Sequence, residues 1–496
     1  MTCVERKLCN TDPFDRIFHP EHLAIIGVSA KGFGFGSNIL MSLRQIGFEG
    51  AIYPVNARGG EIAGMKIYKS VDEIPVVIDF AIIAVPAGAV PDALDACREK
   101  GAAGAEILSA GFSELGTPEG IALEERIREA AGRGIRVVGP NCFGIYCPRS
   151  GLTLMPGPDF SRESGDVAFL AQSGGMAMDF SHIGKWLGVR FSKVVSFGNG
   201  ADLREAELID YFGDDPETKV ISTYIEGVED GSDFVDVLKN VTWKKPVIIH
   251  KGGLSEAGGR AVASHTASMG GSRVIWESAL RQCNAVQVSS LWELAQTSLA
   301  FSMLPERIYR GITVAGGGGA LGIAACDAAE AFDIRFPQLD PAITNTIMEI
   351  LPKPGSSAKN PIDVANPHVP PHILKEILLT AAKDEKIDLQ ILIQLFHTYK
   401  PMALFSGQSI KDVTPFRELA AAVAEVVAVT DKPVILVAPN IKQGLESFDI
   451  EAVRREARST FLKEGIPVFD DVEDALRAVN HVSRYRARKE ALERKG

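Results

Sequence analysis

The sequence has few aromatic residues, 7% of 496, and few cysteines. The seven (Cys3, Cys9, Cys97, Cys142, Cys147, Cys283 and Cys326) form no Cys-x-x-Cys pair and are odd in number. That excludes a zinc ribbon and a disulfide framework and fits a reducing compartment. No apolar run reaches the length of a membrane span. The opening "MTCVERKLCNTDPFDRIF" is charged and lacks the apolar centre of a secretory signal. Net charge is −11, with no arginine-rich stripe and no stacking cluster of aromatics, which disfavours nucleic acid. The expectation is a cytoplasmic chain with no nucleic-acid partner, no membrane partner and no resident metal.

Small and apolar residues are abundant: 46% of the chain is hydrophobic and 48 residues are glycine. At roughly 150 residues per domain the length predicts about three domains. "LAIIGV" (23–28), "AIYPVN" (51–56), "DFAIIAVPA" (79–87), "AAGAEILSAGF" (102–112) and "IRVVGPN" (135–141) read as buried strands, several of them separated by helical patterns. Such alternation predicts a parallel, doubly wound sheet with ligands at the carboxyl ends of its strands. A boundary is expected in the proline-, glycine- and serine-rich stretch 148–165. Beyond it, "VAFLAQSGGMAMDFSHIG" (167–184) and "ITVAGGGGALGIAACDAAE" (312–330) share one plan of strand, glycine turn and helix. Each is later followed by a strand opening "KPVI", at 245 and at 432. Two flavodoxin-like domains would give this repeat; so would ordinary βα units falling alike. The C-terminal "VEDALRAVNHVSRYRARKEALERKG" starts amphipathic and becomes almost wholly charged, as a helix fraying into solvent would.

Chemistry is concentrated at glycine-rich turns. "GVSAKGFGFGSN" follows a strand and opens a helix, yet gives no clean G-x-G-x-x-G, and the second strand ends in Asn56 and Arg58 rather than an acidic residue. A nicotinamide dinucleotide is therefore disfavoured, and Arg58 points to a phosphorylated nucleotide-like ligand; a merely tight βα turn would give the same glycines. "AQSGGM" (171–176) and "AGGGGALG" (315–322) both set glycines where a strand meets a helix, and the exposed N–H groups and helix dipole there can hold phosphate. "GGRAVASHTASMGGS" (258–272) places one imidazole, His265, among small residues, with no second ligand at metal spacing. His265 is thus a candidate nucleophile for phosphoryl transfer, needing an acceptor to fix its other nitrogen. Glu226, ending "VISTYIEG", can supply that acceptor.

These motifs, in this order, resemble the α subunit of the ADP-forming (NDP-forming) acyl-CoA synthetases, in the succinyl-CoA synthetase superfamily. "IIGVSAKGFGFGSN", "YPVN", "IIAVPA", "SAGFSE", "GPNCFGI", "QSGGM", "SFGNGADL", "YIEGVEDG", "KKPVIIHKGG", "SHTASMGGS" and "NPIDV" carry the resemblance over nearly the whole chain. It implies an α/β chain: a CoA-binding Rossmann-like domain (1–150), then two flavodoxin-like parallel-sheet domains. The first of these (151–304) bears the phosphohistidine loop, the second is a CoA-ligase domain (305–480), and a charged tail (481–496) follows. It further implies that His265 is phosphorylated in turnover and oriented by Glu226. Ser173, Gly174 and Gly175 would begin one phosphate-facing helix, and Gly317, Gly318 and Gly319 the other. CoA or acyl-CoA would lie against Ser29, Lys31, Gly36, Ser37, Asn56, Arg58 and Pro86, with Asn141 and Cys142 towards its thiol. The chain departs from the family pattern at Ala267 and Gly270, both small, and at Gly200, where a lysine is common; the last bears on the acyl pocket.

The implied reaction is acyl-CoA + Pi + ADP ⇌ carboxylic acid + CoA + ATP, by way of an acyl phosphate and phosphohistidine. No nucleotide-grasping module follows the third domain in the sequence, so Mg-ADP or Mg-ATP is expected on a separate ATP-grasp β subunit in an α2β2 assembly. The alternative is a CoA-binding regulatory or scaffold subunit without turnover.

Overall fold

The computed structural model describes residues 12–154, 157, 159–266 and 272–494, without the side chains of 263–266. The chain divides into two compact units, Met1–Leu294 and Ala295–Gly496.

The first unit holds two large sheets and a small antiparallel ribbon, Gly60–Ile62 with Met65–Ile67. In one, the strands His22–Ile26, Ala51–Val55, Phe80–Ile83, Gly104–Ile107 and Arg136–Val138 run parallel, with the first strand lying between the second and the third. Leu23, Ala24 and Ile25 are fully buried, as are Phe80, Ala81 and Ile83, because helices cover both faces; this is why the strands read as continuous apolar runs. The other sheet repeats the plan with Val167–Ala171, Phe191–Ser196, Val220–Ile225, Val247–Lys251 and Val286–Val288, again with the first strand between the second and third. Its edge is extended by the antiparallel strand Gly144–Tyr146, where Tyr146 pairs with Val194. The apolar "GIY" thus belongs to the second sheet, although the sequence reading keeps everything up to 150 in the first domain.

The second unit has one parallel sheet, from Ile312–Gly316, Ile362–Asp363, Leu389–Ile393, Val434–Val437 and Val468–Phe469, in the same spatial order. The two "KPVI" segments both supply the fourth strand of their sheet, and the two glycine turns both follow the first. The repeat is therefore one of topology. The division between units falls inside the helix Leu291–Met303, earlier than the expected boundary at 304.

The expected charged tail from 481 is not a tail. Helix Val472–Glu493 runs through it, capped by Asp471, and buries Val479, Val482 and Tyr485. It packs on helix Gly319–Glu330, and Ser483 Oγ accepts the Tyr309 N–H at 3.0 Å. The charges of "RYRARKEALERKG" hid a buried stripe at helical spacing. No helix among the described residues is long and apolar enough to cross a membrane.

Candidate functional site

Ser173 caps the helix Gly174–Leu187, its hydroxyl accepting the Met176 N–H at 3.4 Å. The helix start therefore offers the free backbone N–H groups and positive dipole end that suit an anion. A cavity of about 200 Å³ opens there, lined by Asn141, Phe143, Gln172, Ser173, Gly174, Gly175, Gly198, Asn199 and Glu226. A Cβ on Gly174 would stand 2.7 Å from the Phe143 ring, whereas one on Gly175 would meet nothing nearer than Ser173 Oγ at 3.9 Å. Gly174 is thus a glycine for packing, and Gly175 keeps the mouth open.

Glu226 follows the strand Val220–Ile225 and is 8% exposed. Tyr224 donates its hydroxyl to Glu226 Oε1 at 3.2 Å, and Gln172 Oε1 accepts the Glu226 and Gly227 N–H groups at 2.9 and 3.1 Å. Burial, then the Glu226 charge, pushes the Tyr224 phenol up, so it stays a donor to that carboxylate. Lys251, on the neighbouring strand, donates to the Glu226 carbonyl at 2.6 Å. His265 stands on the helix Glu256–Thr266, but its side chain, and Ala267 and Gly270 with theirs, lie outside the described residues.

Also lining this cavity, Asn141 has φ +55° and donates to Asn199 Oδ1 at 3.3 Å. The Asn199 amide in turn donates to Glu114 at 2.6 Å and Glu124 at 2.8 Å. Both carboxylates come from the first sheet's side, so this amide ties the two halves of the first unit together at the cavity. Gly200 has φ +65°, a backbone conformation that glycine takes without strain, and its carbonyl accepts from Arg204 at 3.2 Å. Cys142 lies elsewhere: its thiol is buried and donates to the Ile107 carbonyl at 3.3 Å, so it faces the core and not the cavity.

The other residues expected at the CoA site gather at the carboxyl edge of the first sheet. Ser29 and Ser37 lock the turn after the first strand, Ser37 Oγ accepting the Ser29 N–H at 2.9 Å. Gly36 leaves room only for a hydrogen, since its Cβ would fall 2.7 Å from the Gly27 carbonyl oxygen. Asn56 Oδ1 accepts the Arg58 N–H at 3.0 Å after the second strand, and Pro86 follows the third. Lys31, Arg58 and Pro86 are exposed on these turns. Two cations beside a topological switch point form a fitting edge for a polyphosphate ligand.

In the second unit, Gly317, Gly318 and Gly319 line a separate cavity of about 290 Å³ with Cys326, Ser357 and Asp363. Gly318 takes φ +105° and caps helix Gly319–Glu330. Asp363 Oδ2 lies 2.8 Å from where a Gly319 Cβ would be, so a carboxylate already faces this helix start. Asp363 stands within "NPIDV", where the sequence alone assigns it no role. Gln172, Phe143, Asn199 and Lys251 stand within "QSGGM", "GPNCFGI", "SFGNGADL" and "KKPVIIHKGG", but nothing in those motifs marks them for a role.

Two family models match: a CoA binding domain over residues 21–148 and a succinyl-CoA ligase like flavodoxin domain over 164–301. The α subunit of acetate–CoA ligase (ADP-forming) II from Pyrococcus furiosus is 34% identical over 468 residues, covering 94% of this chain and 96% of that one. The chain belongs to the α subunits of the ADP-forming acyl-CoA synthetases. This is a family of acid–thiol ligases. The dinucleotide-forming acetyl-coenzyme A synthetase 1 of Ca. Korarchaeum cryptofilum, solved with phosphate and ADP, superposes with a TM-score of 0.81 at 31% identity. That match covers 97% of this chain and 98% of that one. An acetate–CoA ligase (ADP-forming) I of Archaeoglobus fulgidus is 37% identical over 76% of this synthetase chain, which spans only 54% of that longer relative.

Proposed function

We propose that this chain is the α subunit that carries the CoA and phosphohistidine half of the reaction acyl-CoA + Pi + ADP ⇌ carboxylic acid + CoA + ATP. A phosphate oxygen attacks the thioester carbonyl; the C–S bond breaks and CoA leaves as thiolate, giving an acyl phosphate. The His265 imidazole then attacks phosphorus and the carboxylate departs. Phosphohistidine finally passes its phosphoryl group to the terminal phosphate of ADP. The cavity that brings Glu226 and the Ser173–Gly175 helix start together carries this reading. Phosphoryl transfer needs positioning and fixed dipoles more than covalent chemistry, and backbone N–H groups supply them.

In this reading Ser29, Lys31, Gly36, Ser37, Asn56, Arg58 and Pro86 hold CoA, while Asn141 guides its thiol end from the cavity wall. Gly317, Gly318 and Gly319 take the phosphoryl group at the second helix start. The domains are the CoA-binding 1–150, the phosphohistidine-bearing 151–304 and the CoA-ligase domain from 305. Mg-ADP or Mg-ATP is held by a separate ATP-grasp β subunit in an α2β2 assembly; the length of the Archaeoglobus relative outside the match supports such a second half. The work is that of a cytoplasmic enzyme.

Co-purification with the candidate β subunit and assay of ADP-dependent ATP formation from acyl-CoA and phosphate tests the reading. Thermal stabilisation by CoA and not by NAD, together with ATP formation, is the expected result. Stabilisation by CoA with no ATP from any acyl-CoA would leave a CoA-binding scaffold instead.

A further inference from the structure

We propose that Lys251 is a positioning residue of the phosphoryl-transfer site, its side chain clamping the Glu226 strand end to the turn that leads into the His265 helix. The proposal rests on the roles given above to Glu226 and His265. Lys251 ends the strand Val247–Lys251 and pairs in parallel register with Ile225. It is 4% exposed. Its ammonium donates to the Glu226 carbonyl at 2.6 Å and also to the Gly252 carbonyl, one on each of the two segments. The Trp276 ring lies 5.1 Å from Nζ and covers it.

The turn it grips has no slack. The Gly252 N–H donates to the Ile225 carbonyl at 2.9 Å, and a Cβ on Gly252 would stand 2.6 Å from the Tyr224 hydroxyl that donates to Glu226. The sequence then passes through Gly253, at φ +75°, into helix Glu256–Thr266. One side chain thus bridges the carrier of the carboxylate and the carrier of the histidine.

A lysine is an expensive occupant for such a place, because an ammonium removed from water loses its hydration. Burial pulls its pKa down to about 8, with the Glu226 charge opposing. An apolar side chain would fill the space under Trp276 without that penalty but would leave two carbonyls unheld. The geometry therefore favours a role in alignment over one in packing. Small misplacements of reacting groups lower rates steeply.

The test is single-turnover phosphorylation of the full chain by an acyl-CoA with inorganic phosphate, read by intact mass, in the wild type, His265→Ala, Lys251→Met and Lys251→Arg. Lys251→Met is expected to slow phosphorylation by about 10-fold or more. The apparent KM for acyl-CoA and phosphate should stay within about two-fold, because alignment and not ground-state binding is lost. Lys251→Arg keeps the donors and should recover most of the rate. Lys251→Met at the wild-type rate, a rise in KM matching the loss of rate, or Lys251→Arg as slow as Lys251→Met would each overturn the proposal. If Lys251→Met does not fold, Lys251→Gln is judged by the same rate and KM criteria. No phosphorylation of the wild type, or phosphorylation persisting in His265→Ala, would instead bring down the underlying reading and the clamp with it.

Discussion

Gln172 accepts the backbone N–H groups of both Glu226 and Gly227 through its single side-chain oxygen, at 2.9 and 3.1 Å. This residue precedes Ser173, the cap of helix Gly174–Leu187, so the bond joins the glycine turn to the loop bearing the Glu226 carboxylate. The geometry of both depends on it. Gln172→Leu leaves two buried donors unmatched, at about 1–3 kcal/mol for each unsatisfied group. Denaturant titration should show a loss in that range, and phosphorylation should slow with little change in CoA affinity.

Gly174 and Gly175 are neighbours with opposite tolerances. Gly174→Ala drives a methyl to within 2.7 Å of the Phe143 ring and must displace it. Overpacking of this kind costs about 1–3 kcal/mol. Gly175→Ala meets no such clash and should leave the melting temperature unchanged while narrowing the cavity mouth, raising KM for phosphate. Melting curves beside phosphate titrations separate the two effects.

Glu106 is buried in the first sheet, with Oε2 accepting the Ile145 N–H at 2.9 Å and Oε1 unpartnered. Burial lifts its carboxyl from an ordinary 4.5 to about 8, against the Ile145 hydrogen bond. Between these values the folded chain holds a proton that the unfolded chain has lost. Stability therefore falls as pH rises from 4.5 through about 8. Glu106→Gln removes the penalty: it should exceed the wild type by at least about 1 kcal/mol near pH 8.5, with the gain shrinking towards pH 4.5. Chemical denaturation across that range checks the slope.

Glu217, beside Lys193, shows the opposite sign. Lys193 is 1% exposed and bridges Asp215 at 2.8 Å and Glu217 at 2.7 Å. Removing one partner of a buried ion pair costs about 3–5 kcal/mol, and Lys193→Met should lose that much near pH 7. The hydrogen bond from His19, and then that from Lys193, holds Glu217 well below the usual carboxylate range. Its contribution is present above the ordinary carboxylate value and lost as pH falls towards the depressed one. The gap between wild type and Lys193→Met should accordingly narrow in acid, as urea titrations at neutral pH and about pH 3 would show.

The parallel-sheet plan was legible because strands covered on both faces are apolar throughout, as in "FAII" and "VILV". The two glycine turns were legible as strand-to-helix junctions because glycine clusters there, and Gly174 shows one reason, a Cβ on it standing 2.7 Å from the Phe143 ring. The edge strand at 144–146 was not, since three apolar residues carry no register signal and fall inside the expected first domain. The C-terminal helix was misjudged because charge dominates its composition while Val479, Val482 and Tyr485 recur along one buried stripe. Lys251 and Asn199 were invisible for a different reason. Each acts through partners distant in sequence, such as Glu226 for the lysine and Glu114 for the amide, and only the fold brings these together.

The most direct test of the central claim is the intact mass of the full chain after incubation with inorganic phosphate and a panel of acyl-CoAs, beside His265→Ala. The account predicts one added phosphoryl group with the correct acyl-CoA, lost on acid treatment and absent from the variant. An unchanged mass with every acyl-CoA, even with the β subunit supplied, or a phosphoryl group retained in His265→Ala, would contradict it.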